Sequence, residues 1–218
     1  KLYKANTSFN AESGLYDISF QDAGHYGANE LYKNVTFDEN SENNPLESSG
    51  SMVEFKNKEG QVILKRTYDA GQKHDTYYVY DVYGNLTYVI PPKADGAINA
   101  DILNDLCYQY KYDGRNRLAE KKLPGKQWEF IVYDKLDRVV MSGPALSPFG
   151  DGIMGWMITK YDALSRPILT AWMPATVTSA TRKTLQDSQN VAIVLSETKI
   201  ATVTNTTING VAFRYTTV

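Results

Sequence analysis

Cysteine and histidine are almost missing from this chain: Cys107, His25 and His74 are the only three among 218 residues. A lone cysteine excludes an internal disulfide and a cysteine-rich zinc site. Two histidines far apart in sequence argue against a histidine metal centre. An excess of either charge is missing too. The formal net charge is −2, so the surface is not built to neutralise a nucleic-acid backbone. No apolar run approaches the roughly 20 residues of a membrane-spanning helix. The opening "KLYKANTSFN" lacks a methionine and the apolar centre of a secretion signal, and the closing "GVAFRYTTV" stops within a strand-like alternation. Both ends are expected to be cuts in a longer protein.

Tyrosine, by contrast, is plentiful, with 16 residues against 7 phenylalanines. Its large ring and hydroxyl suit half-buried sheet faces and contact surfaces for glycans or peptides. Four segments containing it align without gaps: "YDVYGNL" from Tyr80, "YDGRNRL" from Tyr112, "YDKLDRV" from Tyr133 and "YDALSRP" from Tyr161. Their spacing is irregular, so the repeating unit is a short motif with variable connections.

Each column has a physical reading. Asp81, Asp113, Asp134 and Asp162 suit the first position of a type I turn, where the carboxylate accepts from a backbone N–H two residues on. Gly84, Asn116 and Asp137 are residue types that tolerate φ > 0. Ser165 fits that place least well, and distortion is expected there. Asn85, Arg117, Arg138 and Arg166 follow, able to reach across a turn. Strand-like segments flank each motif, so each copy predicts a β-hairpin whose type I turn ends in a left-handed residue. "NKEGQVIL" is a weaker fifth copy, with Asn57 for the aspartate, Gly60 at the left-handed place and Lys56 where the tyrosine would be.

The Y-D-x-x-[G/N/D]-R-[L/V] hairpin resembles the YD repeat of the Rhs family. The wider match, about residues 51–174, is similar to the wall-associated Rhs proteins of Bacteroidetes. The resemblance implies a non-enzymatic shell in which consecutive hairpins wind into a hollow β-spiral, often around a C-terminal toxin domain. It implies the remainder of the same polypeptide as partner, and a location in the cell envelope, on the surface or outside the cell. The departures are Ser165 and Pro167 in the last copy and the missing Tyr-Asp pair in the weak one.

Outside the repeats, residues 1–50 read as strands ("LYDISF", "YKNVTF") followed by a solvated loop. "KADGAINADILNDL" offers Asn99 or Asp101 as the cap of a short helix. "GPALSPFGDGIMG" reads as an irregular excursion between the third and fourth copies. Residues 175–218 predict a helix capped by Ser179, then a hairpin at Asn209-Gly210.

Asp134, Asp137 and Arg138 look like an acid–base pair with a cation. However, the first aspartate recurs in every copy while the second becomes Gly, Asn or Ser, which favours turn structure over catalysis. Cys107 with a histidine lacks any nucleophile-type flank, and no Asp-x-Asp-x-Asp loop suggests calcium. Gly150, Gly152 and Gly155 match G-x-G-x-x-G but precede a strand, not the helix a dinucleotide site needs. Tyr77, Tyr78, Tyr88, Tyr108, Tyr110, Trp128 and Trp156 would serve as a carbohydrate platform if exposed. Cross-strand stacking is the favoured reading.

The expectation is therefore all-β: consecutive antiparallel hairpins in one twisted, curved sheet belonging to a larger shell, with one or two short helices in the connections. No cofactor, metal or enzymatic role is expected, and an unpaired edge strand would invite a dimer. The alternative is a carbohydrate-binding or adhesive surface module.

Overall fold

The structure, a computed structural model, describes residues 2–20, 24–39, 45–198 and 207–217. The chain forms β1 (Asn6–Asn10), β2 (Leu15–Ser19), β3 (Tyr32–Thr36), β4 (Met52–Lys56), β5 (Val62–Asp69), β6 (Gln72–Tyr80) and β7 (Leu86–Ile90). Helix α1 (Ala100–Leu106) precedes β8 (Tyr108–Tyr112), β9 (Leu118–Lys122), β10 (Trp128–Tyr133), β11 (Val139–Leu146), β12 (Met154–Tyr161) and β13 (Pro167–Met173). Helix α2 (Ser179–Val191) follows, then β14 (Thr207–Ile208), β15 (Val211–Ala212) and β16 (Arg214–Thr217).

Twelve strands form one antiparallel sheet in the order β16-β13-β12-β11-β10-β9-β8-β7-β6-β5-β4-β3, while β1–β2 and β14–β15 are two-stranded ribbons. From β3 to β13 each strand lies beside its sequence neighbour, as short antiparallel connections dictate. The protein is all-β, with the two α-helices of the described residues in connections.

Two compact units emerge within the chain. One comprises Lys1–Asn10, Tyr16–Asn116 and Lys122–Gln127, the other Ala11–Leu15, Arg117–Lys121 and Trp128–Val218. That division runs through the repeats, whereas the sequence reading drew its boundaries at their two ends. The first unit buries Leu64, Tyr77, Val79, Ile90, Ala94 and Cys107, with Phe20, Phe55 and Tyr88 packed around them. The second buries Phe130, Val132, Met141, Trp156, Ile158, Ala171, Met173, Leu185 and Phe213.

Helix α2 joins the second core through Leu185 and through a buried polar latch. Arg182 and Glu120, whose side chains are 1 % and 2 % exposed, pair at 2.9 Å. Ser179 also donates to Glu120, and Arg182 donates to the Ser13 carbonyl. Gln186 accepts from the Tyr133 backbone N–H at 2.9 Å and donates to its carbonyl at 2.8 Å. The helix cap is Thr178, which accepts from Thr181 N–H at 3.2 Å. Ser179, the expected cap, is already the first helical residue and spends its hydroxyl on Glu120. For α1 the cap is Asn99, accepting from Ile102 N–H at 2.9 Å.

Two further expectations meet the structure here. The supposed excursion "GPALSPFGDGIMG" is strand at both ends and irregular only between them: β11 runs through Gly143 and Pro144 to Leu146, and β12 begins at Met154. Its glycines serve close packing as well as turning. A Cβ on Gly155 would stand 2.3 Å from the Met173 carbonyl oxygen and 2.7 Å from the Trp172 ring. The Asn209-Gly210 pair, both at positive φ, joins β14 to β15.

Candidate functional site: a ladder of hairpin turns

The repeat motifs build five turns of one chemistry. In each, the amide of the left-handed residue donates to the carbonyl of the residue three before it: Gly60 to Asn57 at 3.1 Å, Gly84 to Asp81 at 3.1 Å, Asn116 to Asp113 at 2.9 Å, Asp137 to Asp134 at 3.2 Å and Ser165 to Asp162 at 3.0 Å. All five left-handed residues have φ between 58° and 85°. Ser165, at φ 61°, makes the same turn as its sister copies, so the distortion expected there is absent. The cost of a non-glycine residue in this region is met by the hydrogen bonds around it. The strand register slips at the same place beside four turns, at Lys56/Val62, Tyr80/Leu86, Tyr133/Val139 and Tyr161/Pro167. That is the bulge a left-handed fourth turn residue creates.

The aspartate organises each turn with both oxygens. Its Oδ1 accepts from the amide two residues on, at 2.9 Å in all four copies: Tyr83, Arg115, Leu136 and Leu164. It also accepts from the amide four residues on, at 2.8 Å from Asn85, 3.0 Å from Arg138 and 2.9 Å from Arg166. Its Oδ2 takes the side chain of that same fourth residue: Asn85 Nδ2 at 2.9 Å, Arg138 Nε at 2.7 Å and Arg166 Nε at 2.6 Å. Asp81, Asp113 and Asp134 are buried. A carboxylate committed to capping in this way has its lone pairs spent on holding the turn. The N–H bonds from Arg166 and Leu164, with the Arg166 guanidinium, hold the Asp162 carboxyl below its ordinary range, the Arg166 backbone N–H contributing most.

The weak fifth copy uses the same geometry with the polarity exchanged. Asn57 Oδ1 accepts from Gln61 N–H at 2.8 Å, and Asn57 Nδ2 donates to Gln61 Oε1 at 2.7 Å. An amide has replaced the acid, so an amide with an acceptor has replaced the cation.

Neighbouring turns are tied together by a second set of contacts. The residue after the left-handed position reaches the left-handed residue of the next turn. Gln61 Nε2 donates to the Gly84 carbonyl at 3.3 Å, Asn85 Nδ2 to Asn116 Oδ1 at 3.2 Å, Arg117 Nη1 to Asp137 Oδ1 at 2.8 Å and Arg138 Nη1 to Ser165 Oγ at 3.1 Å. The motif tyrosine reaches the opposite way, back to the strand leaving the previous turn. Tyr112 donates to the Leu86 carbonyl at 3.0 Å, Tyr133 to Leu118 at 2.8 Å and Tyr161 to Val139 at 2.7 Å. The same rings carry the previous arginine: Arg117 lies 4.7 Å from the Tyr133 ring centre and Arg138 lies 4.6 Å from that of Tyr161, within cation–π range. The tyrosine, the left-handed residue and the residue after it therefore all act between copies. The sequence signals columns inside a copy; contacts between copies required the strand register.

The other sequence candidates separate cleanly. Trp156 is fully buried, with its indole N–H donating to the Thr176 carbonyl at 3.2 Å, and Tyr77 is buried beneath Gly96. Both sit on core-facing strand positions and are not available to a glycan. Tyr78, Tyr88, Tyr110 and Trp128 are half-buried, and Tyr108 is exposed. The core side of β8 is occupied by Gln109, which donates to the Leu103 carbonyl at 2.7 Å. Cys107 is buried and its thiol is pushed up to about 11 by burial, so it is a poor nucleophile at neutral pH. Gly150 and Gly152 turn at positive φ into strand β12, which offers no helix N-terminus to a phosphate. No group of three or more His, Cys, Asp or Glu capable of holding a metal occurs among the described residues. No helix among them is long and apolar enough to cross a membrane.

No family model matches this chain, and no curated protein matches it. Fourteen chains of solved structures do. One is the crystal structure of TcdB2-TccC3-TEV, at 14% identity and a TM-score of 0.45, with 62% of this chain aligned. This chain spans 7% of that one's length. A likeness of that depth carries neither family nor activity.

Proposed function

We propose that this chain is a structural, non-enzymatic segment of an Rhs-type YD-repeat β-shell in a large bacterial exported or surface protein. The shell encloses or presents a C-terminal, toxin-like domain outside this segment. The observation that supports this most is the turn ladder: the motif residues are consumed in holding one hairpin in register on the next. Side chains so committed have little left for substrate chemistry. The saccharide-binding alternative has lost Trp156 and Tyr77 to the core.

Limited proteolysis of the intact parent protein tests the reading. The domain following the repeats should resist a protease that digests it readily when it is expressed alone. Equal cleavage rates in the two settings would contradict enclosure. Specific glycan capture lost on Trp128→Ala would favour the adhesive alternative instead.

A further inference from the structure

Tyr80 is the exception among the motif tyrosines. Tyr133 and Tyr161 carry the guanidinium groups of Arg117 and Arg138 on their rings, 4.7 Å and 4.6 Å from the ring centres. Before Tyr80 the arginine's place is held by Gln61, a shorter and neutral side chain already committed to Asn57 and to the Gly84 carbonyl. Among the described residues no cation lies on the Tyr80 ring, and no hydrogen bond engages its hydroxyl. Tyr80 instead lines a groove of about 620 Å³ within the first unit, together with Tyr3, Tyr26, Tyr83, Lys4 and Glu59.

The charge of this groove is one-sided. Lys4 is balanced by Glu30 at 2.9 Å, and its ammonium lies 4.9 Å from the Tyr26 ring centre, so one tyrosine of the groove already carries a cation. Glu59 is exposed and, among the described residues, has no ion pair. Asp81 lines the groove as well. In the later copies Asp134 and Asp162 are neutralised by Arg138 and Arg166. Asp81 receives only neutral donors, the amides of Tyr83 and Asn85 and the Asn85 side chain. Its oxygens are spent on the turn, but its charge is not cancelled, and a buried charge is screened less than an exposed one.

We infer that this groove binds a guanidinium group from outside the chain, carried by free arginine or by an arginine side chain of a peptide. The guanidinium lies against the Tyr80 ring, as in-chain arginines do on Tyr133 and Tyr161, and Glu59 and Asp81 balance its charge. A planar, weakly hydrated cation suits an open ring better than a compact ammonium does. The site goes beyond the shell reading and does not depend on it.

The test titrates the full chain with the peptide acetyl-Gly-Arg-Gly-amide, with its citrulline counterpart and with free arginine, followed by NMR of the tyrosine ring protons. The arginine peptide should bind with a Kd of about 1 mM. Citrulline has nearly the same shape without the charge, and its peptide should bind about tenfold more weakly, the scale of a desolvated cation–π contact. Glu59→Gln, an exposed change that spares the fold, should weaken the arginine peptide about threefold. Gln61→Arg supplies the in-chain cation of the later copies and should abolish binding. Free arginine binding as tightly as the peptide would support a small-molecule ligand, and a preference for the peptide would support a polypeptide partner. No binding of either arginine probe, equal binding of the citrulline peptide, or binding indifferent to Gln61→Arg would overturn the site.

Discussion

At the scale of single residues, the left-handed position decides how a turn tolerates substitution. Asp137 sits at φ 60° and accepts from Arg117 at 2.8 Å. Asp137→Gly trades that surface ion pair for relief of backbone strain, so its stability to urea should lie within about 1 kcal/mol of the parent. Asp137→Val keeps the strain, adds a β-branched side chain and removes the acceptor, and should cost about 1–3 kcal/mol. A valine variant as stable as the parent would contradict the turn. This position was legible in the sequence because Gly, Asn and Asp in one column have a single shared property, tolerance of positive φ. Ser165 was not, because serine has no such signature and is held there by Arg138, a residue from the previous copy. The burial of Trp156 was likewise not legible from the pattern alone. Alternation shows which residues share a face, but not which face meets the core.

At the scale of elements, α2 is anchored by Leu185 in the core and by the buried pair of Arg182 and Glu120. Helix-forming composition was visible in "TSATRKTLQDSQN", but nothing nearby marked Glu120, 62 residues earlier, as the partner. Removing one member leaves an uncompensated buried charge. Glu120→Ala or Arg182→Ala should therefore cost about 3–5 kcal/mol. Replacing both with apolar residues of similar volume, Glu120→Leu with Arg182→Met, should recover much of that loss. Urea unfolding of the three variants decides the matter: a double variant as damaged as the sum of the single ones would mean the pair supplies stability beyond charge compensation.

At the scale of the whole molecule, carboxylates hold much of the structure, and their ionisation sets how it responds to acid. Arg66 grips Asp75 through two bonds of 2.6 Å and 2.9 Å, and this pairing keeps the Asp75 carboxyl below its ordinary value. Asp162 is lowered as well. A depressed carboxyl stabilises the fold above its unfolded pKa, about 3.9, and that contribution is lost as pH falls through the folded value. Thermal midpoints should therefore hold steady from neutral pH to about 5 and fall below about 4. The fall should be shallower for Asp75→Asn, and an identical acid profile would remove Asp75 from this account.

The hairpin order of the sheet was readable from the spacing of the motifs, because short antiparallel connections leave few other arrangements. The copy-to-copy coupling was not, and it is the centre of the present account. A double-mutant cycle between Arg138 and Tyr161 tests it most directly, using Arg138→Ala, Tyr161→Leu and the double variant in urea unfolding. A coupled ladder predicts that the two losses fall short of additivity by about 1 kcal/mol, the scale of a partly desolvated cation–π contact. Losses that add within about 0.3 kcal/mol would mean that each hairpin stands alone and that the ladder is not what holds the repeats together.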